Sequence, residues 1–212
     1  MISAYDEIYL ENARVSLASM IHFAVNVLNY NLRDFWNTFL ASDISRRFER
    51  GEFSIISGKS GIELAYDILK VYDERDVNME IYDDKSPEYW LGWALAYYQW
   101  NKNLSFEQID KVVPIENIVK MYFPYHEMDI QHFVDRINEL LFKDNKETKL
   151  KTRRKLLGLT QKDLANATGV PLRTIQQYEQ GQKNINCARS IYIVALAKAL
   201  YCSPEELLES VD

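Results

Sequence analysis

The apolar positions of this chain recur mostly at steps of three and four, the spacing that gathers side chains on one side of an α-helix. Leu10, Ala13, Leu17, Met20, Ala24 and Leu28 form the first such series. Residues 31–50 predict one or two further helices closing at Gly51, and residues 52–59 a loop or short extended piece around Ser54, Ile55 and Ile56. Residues 60–70 predict another helix, and the acidic, aliphatic-poor run 72–85 a loop. Ser86-Pro87-Glu88 is a strong helix start, since Ser caps, Pro suits the first turn and Glu complements the N-terminal dipole. Ser105 and Gln108 have capping-box spacing, and Pro114 and Pro124 punctuate the next stretch. Residues 128–142 predict a helix with Ile130, Phe133, Val134, Ile137, Leu140 and Leu141 inward. No internal repeat and no convincing strand pair interrupts this pattern.

From Leu150 onward five short helices are written in local signals. The first runs over residues 150–157 and stops at Gly158. Thr160 caps residues 161–167, with Asp163 at the third helical position and Gly169 closing. Pro171 opens residues 172–180, which Gly181 ends. A linker over 182–186 leads to a helix ending near Leu200, and Ser203 and Glu206 have capping-box spacing for a fifth. The three residues between the second and third helices match the tight turn of a helix-turn-helix. The fold class expected is therefore all-α, with a helical domain over residues 1–145 and a five-helix domain over 146–212, divided at the polar seam 143–147.

Charge sharpens this division. The net −6 of the chain is the balance of residues 146–212, with 11 basic and 7 acidic side chains, against an acidic remainder at −10. Residues 148–200 alone hold 10 basic and 2 acidic residues, net +8. Such asymmetry marks a candidate nucleic-acid module joined to a domain that phosphates would repel. Composition adds exclusions: 47% hydrophobic residues with 7 Gly and 5 Pro rule out collagen-like and disordered readings. Cys187 and Cys202 are too few for a disulfide framework and lack metal-site spacing, so a reducing cytoplasm fits. The first residues show no secretory pattern. Residues 15–32 carry no formal charge over 18 positions, the length of a candidate membrane span. However, Ser16, Ser19, His22, Asn26, Asn29 and Asn31 place most of their polarity on one stripe, which lipid would penalise and water accept, so an amphipathic soluble helix is expected instead.

The segment Arg154-Lys-Leu-Leu-Gly-Leu-Thr-Gln-Lys-Asp-Leu-Ala165, then Gly169-Val-Pro, then Ile175-Gln-Gln-Tyr-Glu-Gln-Gly181 resembles the Cro/phage-repressor (xenobiotic-response-element type) helix-turn-helix regulators over residues 148–208. The resemblance implies a small core of Leu164, Ala165, Val170 and Ile175, and a partly buried pair between Arg154 and Glu179. It implies that Gln161 clamps the DNA backbone, and that Leu172, Arg173, Thr174, Gln176 and Gln177 face base edges. The residue types suit base reading, because Arg pairs bidentately with guanine, Gln with adenine, and an aliphatic group meets the thymine methyl. Leu172 departs from the polar residue common at its site in phage proteins. Lys183, Asn184 and Arg189 are placed as phosphate contacts. Double-stranded DNA and a homodimer on half-sites about one helical turn apart are the implied partners. The competing reading of the module is a helix-turn-helix that has lost DNA binding and mediates protein contact.

The acidic domain is less explicit. Trp90, Trp93, Tyr97 and Trp100 fall on one helical stripe, which reads first as core and second as a partner or ligand surface. Ser57-Gly-Lys-Ser-Gly61 superficially resembles a phosphate-binding loop but has Phe53 where the motif needs Gly, so a helix cap is expected. His126, Glu127, Asp129 and His132 lack metal spacing, because the two histidines lie about 600° apart on an ideal helix. No nucleophile arrangement is present, so no enzyme, cofactor or metal is expected. The order of domains and the segment 89–100 loosely resemble antitoxin-like regulators. Two functions follow: a cytoplasmic transcriptional repressor whose first domain dimerises or senses a ligand, or an antitoxin that neutralises a protein partner and represses its own operon.

Overall fold

The computed structural model describes residues 3–70, 86–142 and 147–209. The loop expected over 72–85 and most of the seam at 143–147 lie outside the described residues. Every regular element among the described residues is helical. The chain divides into two compact units, one of Ala4–Ile137 and one of Asn138–Asp212 with Met1–Ser3.

The first unit is built around α1 (Leu10–His22) and α6 (Pro87–Lys102). They pack closely enough that Gly92 has no room for a side chain: an added Cβ would lie 2.6 Å from the Ala18 Cα. α5 (Gly61–Leu69) meets α1 the same way, where a Cβ on Gly61 would sit 2.4 Å from the Ser16 carbonyl oxygen. The first part of the polar stripe, Ser16 to His22, therefore points into packed protein, while Asn26, Asn29 and Asn31 beyond α1 are exposed. Ser16 and His22 are buried, the latter with Nδ1 2.8 Å from the Ser86 hydroxyl. The single helix expected to Leu32 also ends early. α1 runs into a π-helical stretch, Phe23–Val27. Asn29 then turns left-handed at φ 58°, and Asn31 accepts from the Arg33 and Asp34 N–H groups to start afresh.

Between them, α2 (Leu32–Ala41) and α3 (Asp43–Glu49) are separated by Ser42, which caps the second. Phe35, Trp36, Phe39 and Phe48 of these helices are buried, and Phe106 of α7 (Phe106–Val112) packs edge-on against Trp36. Residues expected as a loop or extended piece instead form a helical turn, α4 (Phe53–Ile56). Its cause is local: the Glu52 carbonyl accepts from both Ile55 and Ile56, whose side chains are buried. α8 (Ile115–Val119), α9 (Tyr122–Tyr125) and α10 (Ile130–Phe142) complete the elements of this stretch. Arg33 ties α2 to α7 and α8 by pairing with Asp110 at 2.7 Å and with Glu116. No described helix is long and apolar enough to cross a membrane.

The second unit holds α11 (Lys149–Leu156), α12 (Gln161–Thr168), α13 (Leu172–Glu179) and α14 (Ser190–Ala199). Its core contains Leu150, Leu164, Val170, Ile175, Tyr178, Leu196 and Leu200, with Ala165 packed against it. The fifth helix is only a 3-10 turn, Pro204–Leu207, because Leu208 swings into extended backbone at ψ 137°.

Candidate nucleic-acid interface

Local chemistry fixes the angle between α12 and α13. Thr160 and Asp163 cap α12 reciprocally, the Thr160 hydroxyl accepting the Asp163 N–H at 3.1 Å and the Asp163 carboxylate the Thr160 N–H at 2.9 Å. At the other end Gly169 adopts φ 69°, a conformation that costs other residues about 1 kcal/mol or more. Val170 then drops into the core, and Pro171, with no N–H to leave unpaired, precedes the first turn of α13.

Arg154 and Glu179 meet as a bidentate pair, Nε to Oε1 at 2.6 Å and Nη2 to Oε2 at 2.8 Å. Both residues are buried, at 8% and 5% exposure. Those hydrogen bonds outweigh burial and push the guanidinium above its ordinary pKa. The last turn of α13 is thereby bolted to α11, and α13 cannot rotate without breaking the pair. Gln161 joins the same group: its Nε2 donates to Glu179 Oε2 at 2.7 Å. One amide proton expected to face phosphate is thus directed inward, while the α12 N-terminus that carries it remains exposed at Thr160.

The outer surface of α13 presents Leu172, at 38% exposure, and an exposed Arg173, with Thr174, Gln176 and Gln177 half-buried beside them. Leu172, Arg173, Gln176 and Gln177 share a shallow polar groove with Gln180 and Gln182. The two additional glutamines were not singled out from the sequence. Gln180 was recoverable, since it lies four residues after Gln176 and so on the same face. The loop after α13 begins with the Lys183 N–H donating to the Gln177 carbonyl at 3.1 Å. Lys183, Asn184 and Arg189 are all exposed. Asn184 spends its side-chain oxygen on the Asn186 N–H, and the Arg189 guanidinium lies 5.8 Å above the Tyr192 ring. Also unforeseen was Arg153, 1% exposed, which donates to the Leu200 and Tyr201 carbonyls and closes the end of α14. Nothing in the pattern separates it from its neighbour Arg154.

Residues singled out in the first unit have other settings. Trp90 is buried edge-on against Tyr122 and Phe133 and offers no surface. Trp93 lies under the Arg14 guanidinium at 3.2 Å, with Tyr97 beside it at 5.2 Å, and the Trp100 indole N–H donates to the Tyr5 carbonyl. Three of the four are half-covered by the chain itself. Ser60 is the N-cap of α5, locked reciprocally with Glu63, and Lys59 pairs with Asp67. His126 stacks on Tyr122, and no group of three or more potential metal ligands occurs among the described residues.

Comparison with known proteins places the second unit. Residues 150–207 match the family model described as helix-turn-helix, of the Cro/C1 type. No curated protein matches the chain, and no solved structure does. The match covers α11 to the closing 3-10 turn and includes the paired Arg154 and Glu179. Residues 150–207 of this chain thus carry a helix-turn-helix domain of the Cro/C1 type, which supports a DNA-binding transcription regulator.

Proposed function

We propose that the protein is a sequence-specific transcriptional repressor that binds DNA as a homodimer, with α13 in the major groove and the first unit serving dimerisation or ligand sensing. The observation that carries this reading is the combination of a rigidly anchored α13 with an outward face rich in Arg and Gln. Arg173, Gln176 and Gln177 supply base-reading groups, and Leu172 a methyl contact. Gln161 and the N-terminus of α12, with Lys183, Asn184 and Arg189, supply backbone contacts that set register. Gln161 serves through the second N–H of its amide, the first being held by Glu179. The net +8 over residues 148–200 supports the nonspecific part of the affinity.

The test is enrichment of random duplex DNA by the full chain, followed by footprinting. A two-fold symmetric site with half-sites about one helical turn apart supports the reading. Recovery of no preferred sequence, with binding that vanishes by moderate salt, would overturn it.

A further inference from the structure

The loop between α13 and α14 carries two exposed cations, and neither Lys183 nor Arg189 has an ion-pair partner among the described residues. Long cations in a loop bind phosphate well only if the loop is held in place beforehand, since ordering costs affinity. Within this loop Ile185 is buried and Asn184 caps the 3-10 turn Ile185–Cys187. The Gln182 and Lys183 N–H groups donate to the Gln177 carbonyl at the start of the loop, and a further restraint on its middle comes from a distant piece of chain. Asn186 pairs with the main chain of Glu209 in both directions: its Nδ2 donates to the Glu209 carbonyl at 2.9 Å, and its Oδ1 accepts the Glu209 N–H at 2.9 Å. Glu209 in turn accepts the Lys149 N–H on its carboxylate at 2.8 Å, while Lys149 Nζ donates to the Leu208 carbonyl at 2.7 Å. A side chain that satisfies both polar groups of one peptide residue acts as a strand partner would, fixing distance and orientation together.

We infer that Asn186 and Glu209 are positioning residues for DNA binding, forming a clasp that holds the 182–189 loop so that Lys183 and Arg189 reach the phosphate backbone. The clasp rests on the DNA-binding reading of that loop. It also joins three points of the module that are far apart in sequence: the loop after α13, the segment following the last 3-10 turn, and the first residue of α11. Neither clasp residue touches DNA in this arrangement. The diversion of the chain at Leu208, which ends the expected fifth helix early, is what brings Glu209 to Asn186.

The experiment measures affinity of the full-length chain for a duplex enriched from random DNA, and for a scrambled duplex, over a salt series well below the melting temperature. Three changes are compared: Asn186→Ala, Glu209→Pro (which removes the N–H that Asn186 accepts), and Lys183→Ala with Arg189→Ala. Each phosphate contact contributes about 0.9 to the slope of log affinity against log salt, so losing two lowers the slope by about 2 and affinity by roughly tenfold to thirtyfold near 0.15 M salt. Asn186→Ala and Glu209→Pro are expected to weaken both duplexes by the same factor and to lower the slope, and the cation changes to add nothing further in either background. The salt slope of folded protein does not report stability, so a clasp that merely stabilises would leave it unchanged. An unchanged slope in both clasp variants, or a full additional loss on removing the cations, would overturn the inference. If the cation changes leave the slope untouched in the parent, the phosphate assignment fails and the clasp with it. If the parent binds neither duplex, the failure lies in the DNA reading itself.

Discussion

Replacing Glu179 by Ala would isolate the Arg154 guanidinium inside the helix-turn-helix unit. The Glu179 carboxylate accepts three hydrogen bonds, two from Arg154 and one from Gln161, at 2.6 to 2.8 Å. After the change Arg154 keeps the Leu159 carbonyl, 2.6 Å from Nη1, but its Nε and Nη2 lose their acceptors. Removing one partner of a buried pair costs about 3–5 kcal/mol. The Arg154 side chain is 10% exposed, so water can reach part of it, and the lower end, about 3 kcal/mol, applies. For a unit of this size each kcal/mol lowers the melting temperature by about 4–8 °C, giving a fall of roughly 12–24 °C.

The distribution of aromatic residues makes the assay selective. All four tryptophans, Trp36, Trp90, Trp93 and Trp100, lie in the Ala4–Ile137 unit. Tryptophan fluorescence therefore follows that unit, while far-ultraviolet circular dichroism follows both. Glu179→Ala is expected to lower one dichroism transition and leave the fluorescence midpoint in place. Joint replacement, Arg154→Met with Glu179→Leu, should recover most of the loss, since an apolar pair of similar volume removes the stranded charge. A loss below about 1 kcal/mol for Glu179→Ala would refute the argument from burial, because it would match the value of an exposed pair. A fluorescence midpoint that fell in step would refute the assignment of the cost to the second unit.

Three further outcomes are expected. Arg173→Ala should relax sequence preference and cost ~1–3 kcal/mol on the preferred duplex, whereas Lys183→Ala should weaken all duplexes alike; competition binding separates them, and equal losses on all sequences from Arg173→Ala would make Arg173 a phosphate contact. Gly92→Ala should destabilise the first unit by about 2 kcal/mol or more, since its Cβ would lie 2.6 Å from the Ala18 Cα, with no flexible side chain to give way; an unchanged fluorescence midpoint in urea would contradict the packing of α1 on α6. Arg33 holds the Glu116 carboxyl down to about 2 through a side-chain hydrogen bond, below its ordinary value of 4.5. A depressed carboxylate pKa stabilises the fold above the unfolded value and loses that contribution as pH falls. The stability difference between the parent and Arg33→Met should therefore be constant above about pH 5 and shrink toward pH 2 in urea titrations, and a difference that grew on acidification would invert the assigned sign.

The sequence was most legible where one local signal decides one local outcome. Thr160 with Asp163, Gly169, and Ser105 with Gln108 each cap or stop a helix where their spacing says, because the bonds involved span only three or four residues. The meeting of Arg154 with Glu179 spans 25 residues, and only the family resemblance implied it. Signals whose partner is distant and unmarked were not readable. Asn186 looks like any polar loop residue until Glu209 arrives beside it, and Arg153 looks like surface charge until α14 ends against it. The burial of Ser16 and His22 in α1 was unreadable for a related reason: alternation of polar and apolar residues gives the period of a helix but not what covers each face. Ser16 and Ser19 are small enough to let α5 approach at Gly61, so polarity there marks close helix packing, with Ser19 returning its hydroxyl proton to the Val15 carbonyl at 2.7 Å. The same logic bears on Trp93 and Tyr97. Their stripe was legible, but nothing near Arg14 in the chain marks it as the group that covers them. A first unit whose aromatic stripe is half-covered by its own chain, with Arg14 over Trp93 and Tyr97, has less free apolar surface there than its composition suggests. A partner that used the whole of the Trp93 ring would have to displace Arg14.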